Sequence, residues 1–190
     1  MNRWTRLGRS RECPEGIARY MMQDGIFYIW CAGSHGKEWC WNMDTETGPF
    51  VDKETVISVN RRDYYQAMKV LDAVFPVLVK SGAKHVQTAG ISRGGAVAVM
   101  LTLILINGID VGYEVLPPVL WAPKRLGRIG RVFQAMKHKG DIVPYLPPWY
   151  TKYGLVVMGK LELPWVAHKQ ALKDAAHWRS TVGRRVVWKM

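Results

Sequence analysis

The chain has 190 residues, of which 27 are Lys or Arg and 15 are Asp or Glu, so its formal net charge is +12. Hydrophobic residues make up 48% and charged residues 22% of the chain, which excludes a disordered protein. This length favours one domain with a core that needs no disulfides or metal ions. The excess positive charge predicts attraction to anionic partners, whether nucleic acid, an acidic lipid surface or a cell wall.

The N-terminal part differs in composition from the rest. Residues 1–24 form a basic, irregular segment that we expect to be partly disordered, followed by a single domain over residues 25–190. No signal peptide is recognisable, and the longest apolar run, residues 96–106, is shorter than the roughly 20 residues of a transmembrane helix. We therefore expect a cytoplasmic protein by default, with release by lysis or non-standard export as the other route.

Strand and helix patterns alternate along the chain. Residues 26–31 form an apolar run typical of a buried strand, and residues 63–80 show helical spacing that Pro76 should kink or shorten. The remaining elements are predicted to be a strand at 84–89, a helix at 96–106, a strand at 119–122, a hairpin at 155–158 and 161–163, and a helix at about 167–182. This order predicts an α/β fold whose mainly parallel sheet is flanked by helices.

Chemistry is concentrated in the segment Gly90-Ile91-Ser92-Arg93-Gly94. A serine between two glycines, preceded by a strand and followed by a helix, is typical of the nucleophile elbow of a serine hydrolase. The alternative is a glycine-rich turn that binds phosphate. Such a loop would carry a Walker lysine or a GxGxxG pattern, and the sequence has neither.

A serine nucleophile needs a histidine base and a carboxylate that orients the histidine. In α/β-hydrolases both follow the serine, the carboxylate first. Asp141 is the favoured carboxylate, because it follows a glycine where a strand would leave the sheet. Two histidines compete as the base. We favour His177, which follows a predicted helix N-cap at Asp174, over His168.

The reaction also needs backbone N–H donors for the oxyanion. One is the N–H of Arg93, the residue after the nucleophile. The second must come from the loop after an earlier strand, and the loop that follows residues 26–31 offers Ser34.

Five sequence blocks, taken in order, resemble those of the class 3 lipase family, compact α/β-hydrolases that include fungal triacylglycerol lipases. The blocks are Cys31-Ala32-Gly33-Ser34 for Phe-Arg-Gly-Thr/Ser, Glu38-Trp39 with Asn42 for Asp-Trp…Asn, Gly90-Ile91-Ser92-Arg93-Gly94-Gly95-Ala96 for Gly-His-Ser-Leu-Gly-Gly-Ala, Leu120-Trp121-Ala122-Pro123-Lys124-Arg125-Leu126-Gly127 for Thr-Phe-Gly-x-Pro-Arg-Val-Gly, and Asp141-Ile142-Val143-Pro144-Tyr145-Leu146-Pro147-Pro148 for Asp-Pro-Val-Pro-x-Leu-Pro-Pro.

The resemblance implies an α/β-hydrolase with Ser92 as nucleophile, Asp141 as orienting carboxylate, a C-terminal histidine as base, and Ser34 and Arg93 at the oxyanion hole. The sequence departs from the family at several places. Ile91 and Ala32 replace a histidine and an arginine, and Val59-Asn60-Arg61-Arg62-Asp63 replaces the family's Val-His-x-Gly-Phe.

These observations predict a serine hydrolase that cleaves carboxylic esters, with lipids (triacylglycerol, phospholipid or simpler esters) as substrates and an acyl-enzyme as intermediate. No metal ion or organic cofactor is required. We expect Trp39, Trp41 and Trp149 to bind substrate, and an anionic membrane surface to be a further partner. The same residues would also serve an amidase or thioesterase.

The alternative is a degenerate hydrolase that acts as a basic membrane- or nucleic-acid-binding protein. Its binding surface would be the segment 124–139, which has six Lys or Arg and no acid. We expect no specific nucleic acid partner, because the chain has no helix-turn-helix, zinc or RNA-binding motif.

Overall fold

The computed structural model describes residues 4–7, 17–33, 46–108, 112–129, 132–146, 148 and 152–182. The strands in these ranges are β1 (Thr5–Leu7), β2 (Ala18–Gln23), β3 (Ile26–Cys31), β4 (Thr47–Asp52), β5 (Thr55–Asn60), β6 (His85–Ile91), β7 (Glu114–Trp121), β8 (Gly127–Arg128), β9 (Gln134–His138) and β10 (Gly154–Met158). The helices are α1 (Arg61–Lys80), α2 (Arg93–Gly108) and α3 (Pro164–Thr181), with a 3-10 turn at Val143–Tyr145.

The main sheet has seven strands in the order β1-β2-β3-β6-β7-β9-β10. From β3 to β10 all neighbours are parallel, whereas β1 and β2 pair antiparallel at one side. Strands β4, β5 and β8 form a second, antiparallel sheet. The predicted α/β fold with a mainly parallel sheet is therefore confirmed.

Helices cover both faces of the main sheet. On one face, α2 lies between the sheet and α1, which is why it is buried from Arg93 to Leu105 and, apart from Arg93 and Thr102, carries no polar side chain in that range. On the other face, α3 packs its small residues Ala171 and Ala175 against Trp30 of β3 and Trp121 of β7. Because these alanines are small, the helix lies close to the sheet, and this proximity brings its N-terminal half near the ends of the central strands.

The N-terminal boundary predicted at residue 25 is wrong. Strand β2 pairs with β3 along its whole length, and β1 pairs with β2, so the sheet begins well before that residue. The segment ARYMMQ has no alternation of apolar and polar residues that would reveal a strand. Its backbone pairing with the strongly apolar β3 decides its conformation.

Two further elements differ from their predictions. The segment 161–163 is not a strand, and β10 pairs instead in parallel with β9, so no hairpin forms there. Helix α1 continues through Pro76 to Lys80. Pro76 lies on the exposed side of the helix, where water can bond the carbonyl that the proline leaves without a partner.

The carboxyl ends of the central strands lie level with one another. Cys31 pairs with Gly90, Ile91 pairs with Trp121, and Trp121 pairs with Met136. The loops after β3, β6, β7 and β9 therefore open at one edge of the sheet, where ligands bind in open α/β sheets. No helix in the described part of the chain is long and apolar enough to cross a membrane.

Candidate active site

Ser92 forms the turn between β6 and α2. Its φ is +54°, a left-handed conformation that is strained for a residue with a side chain. Three backbone hydrogen bonds hold it there. The Ser92 N–H donates to the carbonyl of Trp121 (3.1 Å), and the Ser92 carbonyl accepts from the N–H groups of Gly95 (3.0 Å) and Lys124 (2.9 Å).

The glycines around Ser92 permit this turn because side chains would collide with neighbouring atoms. A Cβ on Gly90 would overlap the carbonyl of Gly94, and a Cβ on Gly94 would overlap the carbonyls of Cys31 and Ala32. Both glycines therefore face neighbouring backbone, whereas the glycines of a phosphate loop leave space for a ligand. The geometry favours the nucleophile elbow over the phosphate-loop reading.

A substitution at Gly94 tests this packing. We expect Gly94→Ala to lower the free energy of unfolding by about 2–3 kcal/mol, because neither backbone segment can move away from the added methyl group. Gly108 at the end of the same helix is the matched control, since a Cβ there meets nothing within 4 Å. Gly108→Ala should change the free energy by less than about 0.5 kcal/mol in urea unfolding. Equal stability of the two variants would contradict the close approach of α2 to β3.

Asp141 and His168 form a buried pair at the same edge of the sheet. The Nδ1 of His168 lies 2.9 Å from Oδ2 of Asp141, and Oδ1 of Asp141 accepts from the N–H of Val143 at 3.0 Å. The Asp141 side chain is fully buried and that of His168 is 10% exposed. A carboxylate at Nδ1 places the imidazole proton on that nitrogen, which leaves Nε2 as the proton acceptor when the ring is neutral.

This pairing corrects the expectation that His177 is the partner of Asp141. Helix α3 begins at Pro164, so Asp174 lies in its interior and does not cap it. His177 is nine residues after His168, which places it on the opposite side of the helix, and it is exposed. Asp174 pairs instead with His138 of β9, at 2.7 Å between Nε2 and Oδ2.

Two buried cations hold the turn that carries Asp141. The Nζ of Lys137 donates to the Asp141 carbonyl (2.9 Å) and to the Tyr145 hydroxyl (3.0 Å). Arg125 donates from Nε to the carbonyl of Pro144 at 3.0 Å. Burial lowers the pKa of Arg125, but an arginine stays charged at neutral pH.

Sequence reasoning missed the structural role of these two residues, because they belong to the basic segment 124–139. For Lys137, the alternation of residues along β9 could have predicted burial, because Ala135 and Lys137 lie on the same, buried side of the strand.

The loop after β3 reaches Ser92. A Cβ built on Gly33 would lie 3.8 Å from the Cβ of Ser92 and 3.2 Å from the carbonyl of Ile91. Arg93 is the first residue of α2, so its N–H belongs to the helix N-terminus, where backbone donors are available for an anion. The predicted residues Ser34, Trp39, Trp41 and Trp149 lie outside the described residues.

Cys31, at the end of β3, is the one cysteine within the described residues, and it is fully buried. Burial raises the pKa of its thiol to about 12, so the side chain is neutral at physiological pH. A buried, neutral thiol of this kind is a poor nucleophile. Within the same described residues, no group of three or more His, Cys, Asp or Glu could hold a metal ion.

The state of this thiol can be measured in a variant with Cys13→Ser and Cys40→Ser, where Cys31 is the remaining cysteine. With its pKa near 12, about one thiol in 10,000 is a thiolate at pH 8. We expect Ellman's reagent to leave the native variant unmodified and to react with one thiol in guanidinium chloride. Rapid reaction of the native variant would contradict the burial of Cys31.

No family model matches the sequence, and no curated protein matches it. Solved structures match its fold. The triacylglyceride lipase of Rhizomucor miehei is 18% identical, with a TM-score of 0.61 over 78% of this chain and 62% of the lipase. Lip2 lipase from Yarrowia lipolytica is 18% identical, with a TM-score of 0.62 over 75% of this chain and 62% of that lipase. The lipase from Rhizopus microsporus var. chinensis is 18% identical, with a TM-score of 0.58 over 77% of this chain and 58% of that lipase.

This chain therefore spans about three fifths of the length of these lipases. Likeness at this identity is a likeness of fold, and it agrees with the fold that the sequence blocks implied. The chain has the α/β-hydrolase-like fold of fungal triacylglycerol lipases.

Proposed function

We propose that the protein is a serine hydrolase that cleaves the carboxylic ester bonds of lipids, with Ser92 as nucleophile, His168 as general base and Asp141 as the carboxylate that orients His168. The observation that carries the proposal is the buried His168–Asp141 pair on the edge where β6 ends in the Ser92 turn. Ala171, one turn after His168, packs in the same apolar cluster as Ile91, the residue before Ser92. This packing supports a position of His168 near the end of the strand that carries Ser92.

In the proposed mechanism Nε2 of His168 accepts the Ser92 hydroxyl proton while Oγ attacks the ester carbonyl. The charge on the tetrahedral oxygen is bound by the N–H of Arg93 at the start of α2, and the loop after Gly33 supplies the second donor. The imidazolium, held by Asp141, then gives its proton to the leaving alcohol. Water repeats the sequence and releases the acid from the acyl-enzyme. No metal ion or organic cofactor takes part.

The buried cations favour this enzyme over the nucleic-acid-binding alternative. Three of the six basic residues in segment 124–139, Lys124, Arg125 and Lys137, are at most 4% exposed and bond groups inside the fold. A binding surface for phosphates needs cations in contact with solvent.

Three variants test the triad. We expect Ser92→Ala and His168→Ala each to lower kcat for p-nitrophenyl butyrate by about 10⁴- to 10⁶-fold, because each removes a group that acts on the reacting atoms. His177→Ala, on the same helix, is the matched control and should stay within about twofold of the wild type. A fluorophosphonate probe should label the wild type at Ser92.

The results divide the alternatives clearly. Loss of activity in His177→Ala with retention in His168→Ala would reverse the assignment of the base. A folded wild type that neither turns over nor reacts with the probe would favour the binding protein. Parallel assays with p-nitrophenyl palmitate and with an anilide and a thioester of butyrate distinguish lipase, esterase, amidase and thioesterase.

We further propose that the substrate is reached at an anionic lipid surface. Exposed apolar side chains lie in the two chain segments next to Asp141 and His168, namely Ile142, Tyr145, Leu161, Leu163, Trp165 and Val166. The segment 161–163 lies against the Asp141 turn, because the N–H of Glu162 donates to the carbonyl of Lys139 at 3.2 Å. The exposed lysines Lys139, Lys160 and Lys169 lie in the same segments, with Glu162 as the one exposed acid between residues 139 and 169. Apolar side chains among lysines suit a membrane interface with acidic headgroups.

Vesicle binding tests this surface. We expect Trp165→Ala to lower the affinity for phosphatidylcholine vesicles that contain about 30% phosphatidylglycerol by about tenfold, measured by sedimentation. The reason is that the variant lacks the indole ring that would enter the lipid interface. Tyr65 has the same exposed fraction as Trp165, 61%, but lies on α1 across the sheet, so Tyr65→Ala should leave binding unchanged. Equal binding by the two variants would contradict the proposed surface. Binding that does not depend on the phosphatidylglycerol content of the vesicles would contradict it as well.

A further inference from the structure

Three buried charged residues, Asp63, Arg93 and Lys124, form a cluster next to Ser92. Asp63 is fully buried in the first turn of α1, and its two carboxylate oxygens bind different cations. Oδ1 accepts from Nε of Arg93 at 3.2 Å, and Oδ2 accepts from Nζ of Lys124 at 3.0 Å. The exposed fractions of the two cationic side chains are 10% and 3%. Charges at such depth are costly to bury, so their arrangement has to be well matched.

The two cationic residues are also connected to Ser92 through their backbones. Arg93 is covalently the next residue and supplies the N–H proposed for the oxyanion. The backbone N–H of Lys124 donates to the carbonyl of Ser92 at 2.9 Å. One carboxylate therefore ties together the two chain segments that lie on either side of the elbow.

The rest of the cluster is fixed from outside. The side chain of Asn60 accepts from the N–H of Asp63 at 3.1 Å and so caps α1. The hydroxyl of Tyr153 donates to the carbonyl of Lys124 at 2.9 Å. Burial, together with the negative charge of Asp63, raises the pKa of Tyr153, so this hydroxyl keeps its proton and remains a donor.

A cluster of this kind can stabilise the strained backbone of Ser92. A serine with positive φ persists only where the surrounding structure over-determines its backbone. A nucleophile and an oxyanion donor must also keep their mutual distance, because a displacement of about 1 Å costs about 100-fold in rate.

We infer that Asp63 is a positioning residue of the hydrolase centre: by binding Arg93 and Lys124 together, it holds Ser92 in its strained conformation and the Arg93 N–H in place. Asp63 does not touch the substrate. This inference rests on the proposed function for its effect on catalysis, whereas its effect on the backbone can be measured without activity.

The test compares Asp63→Asn with Leu78→Ala. Leu78 is a core residue at the far end of α1, so its truncation destabilises the fold without touching the cluster. Measured well below both unfolding midpoints, Asp63→Asn should lower kcat for p-nitrophenyl butyrate by about 10- to 100-fold with KM within about twofold. Leu78→Ala should keep the wild-type kcat. Hydrogen exchange of the peptide over residues 90–98 should become at least about tenfold faster in Asp63→Asn only.

Two further variants cover a failure of Asp63→Asn to fold. Arg93→Met and Lys124→Met each leave one neutral buried ion pair, so both should fold, exchange faster at residues 90–98 and lose kcat. Wild-type kcat and exchange in the folded variants, or an equal loss in Leu78→Ala, would overturn the inference.

A wild type without turnover or probe labelling would instead overturn the proposed function. The exchange comparison would then still decide whether Asp63 holds the elbow.

Discussion

The backbone of Ser92 is the constraint on which the carboxyl edge of the sheet depends. The chain turns from strand β6 into helix α2 at this one residue, which takes a left-handed conformation that is strained for serine. Three backbone hydrogen bonds, to β7, to α2 and to the loop after β7, hold this conformation. The glycines at 90 and 94 allow the helix to approach the strands. The position of Ser92 is therefore a property of the whole sheet edge.

The distribution of charge follows from the same edge. A net charge of +12 suggests a cationic surface, but several cations of the basic segment are internal. Lys124 holds the elbow, while Arg125 and Lys137 hold the turn that carries Asp141. Arg125 and Lys137 donate to loop carbonyl groups, which lack the regular hydrogen bonds of a sheet. Among the described residues, Lys139, Lys160 and Lys169 are exposed and lie in the same segments as exposed apolar side chains.

Two residues that differ from the lipase sequence blocks interact with each other. Arg93 stands where the family block has leucine, and Asp63 stands where the other block has phenylalanine. In the fold these two residues form an ion pair at 3.2 Å. Asp63 also binds Lys124 at 3.0 Å, so Asp63 is paired even without Arg93. The buried Arg93 guanidinium depends more strongly on Asp63, because a buried cation that loses its carboxylate is strongly destabilising. The chain also spans about three fifths of the length of the lipases that share its fold.

Local pattern determined much of this protein. The apolar run of β3, the helical spacing of α1, the Gly-x-Ser-x-Gly turn and the glycine before Asp141 each define their element or turn within a few residues, and the alternation of strands and helices gave the fold class. Tertiary structure decided the rest. The segment β2 is a strand only because β3 offers it a pairing edge, and Pro76 is tolerated only because its side of α1 faces water. Which histidine pairs with Asp141 depended on where α3 begins and which of its sides faces the sheet. The burial of Lys124, Arg125 and Lys137 depended on loops that come together from distant parts of the chain. Residue spacing along a chain records neighbours within one element, whereas burial and long-range pairing depend on which elements meet.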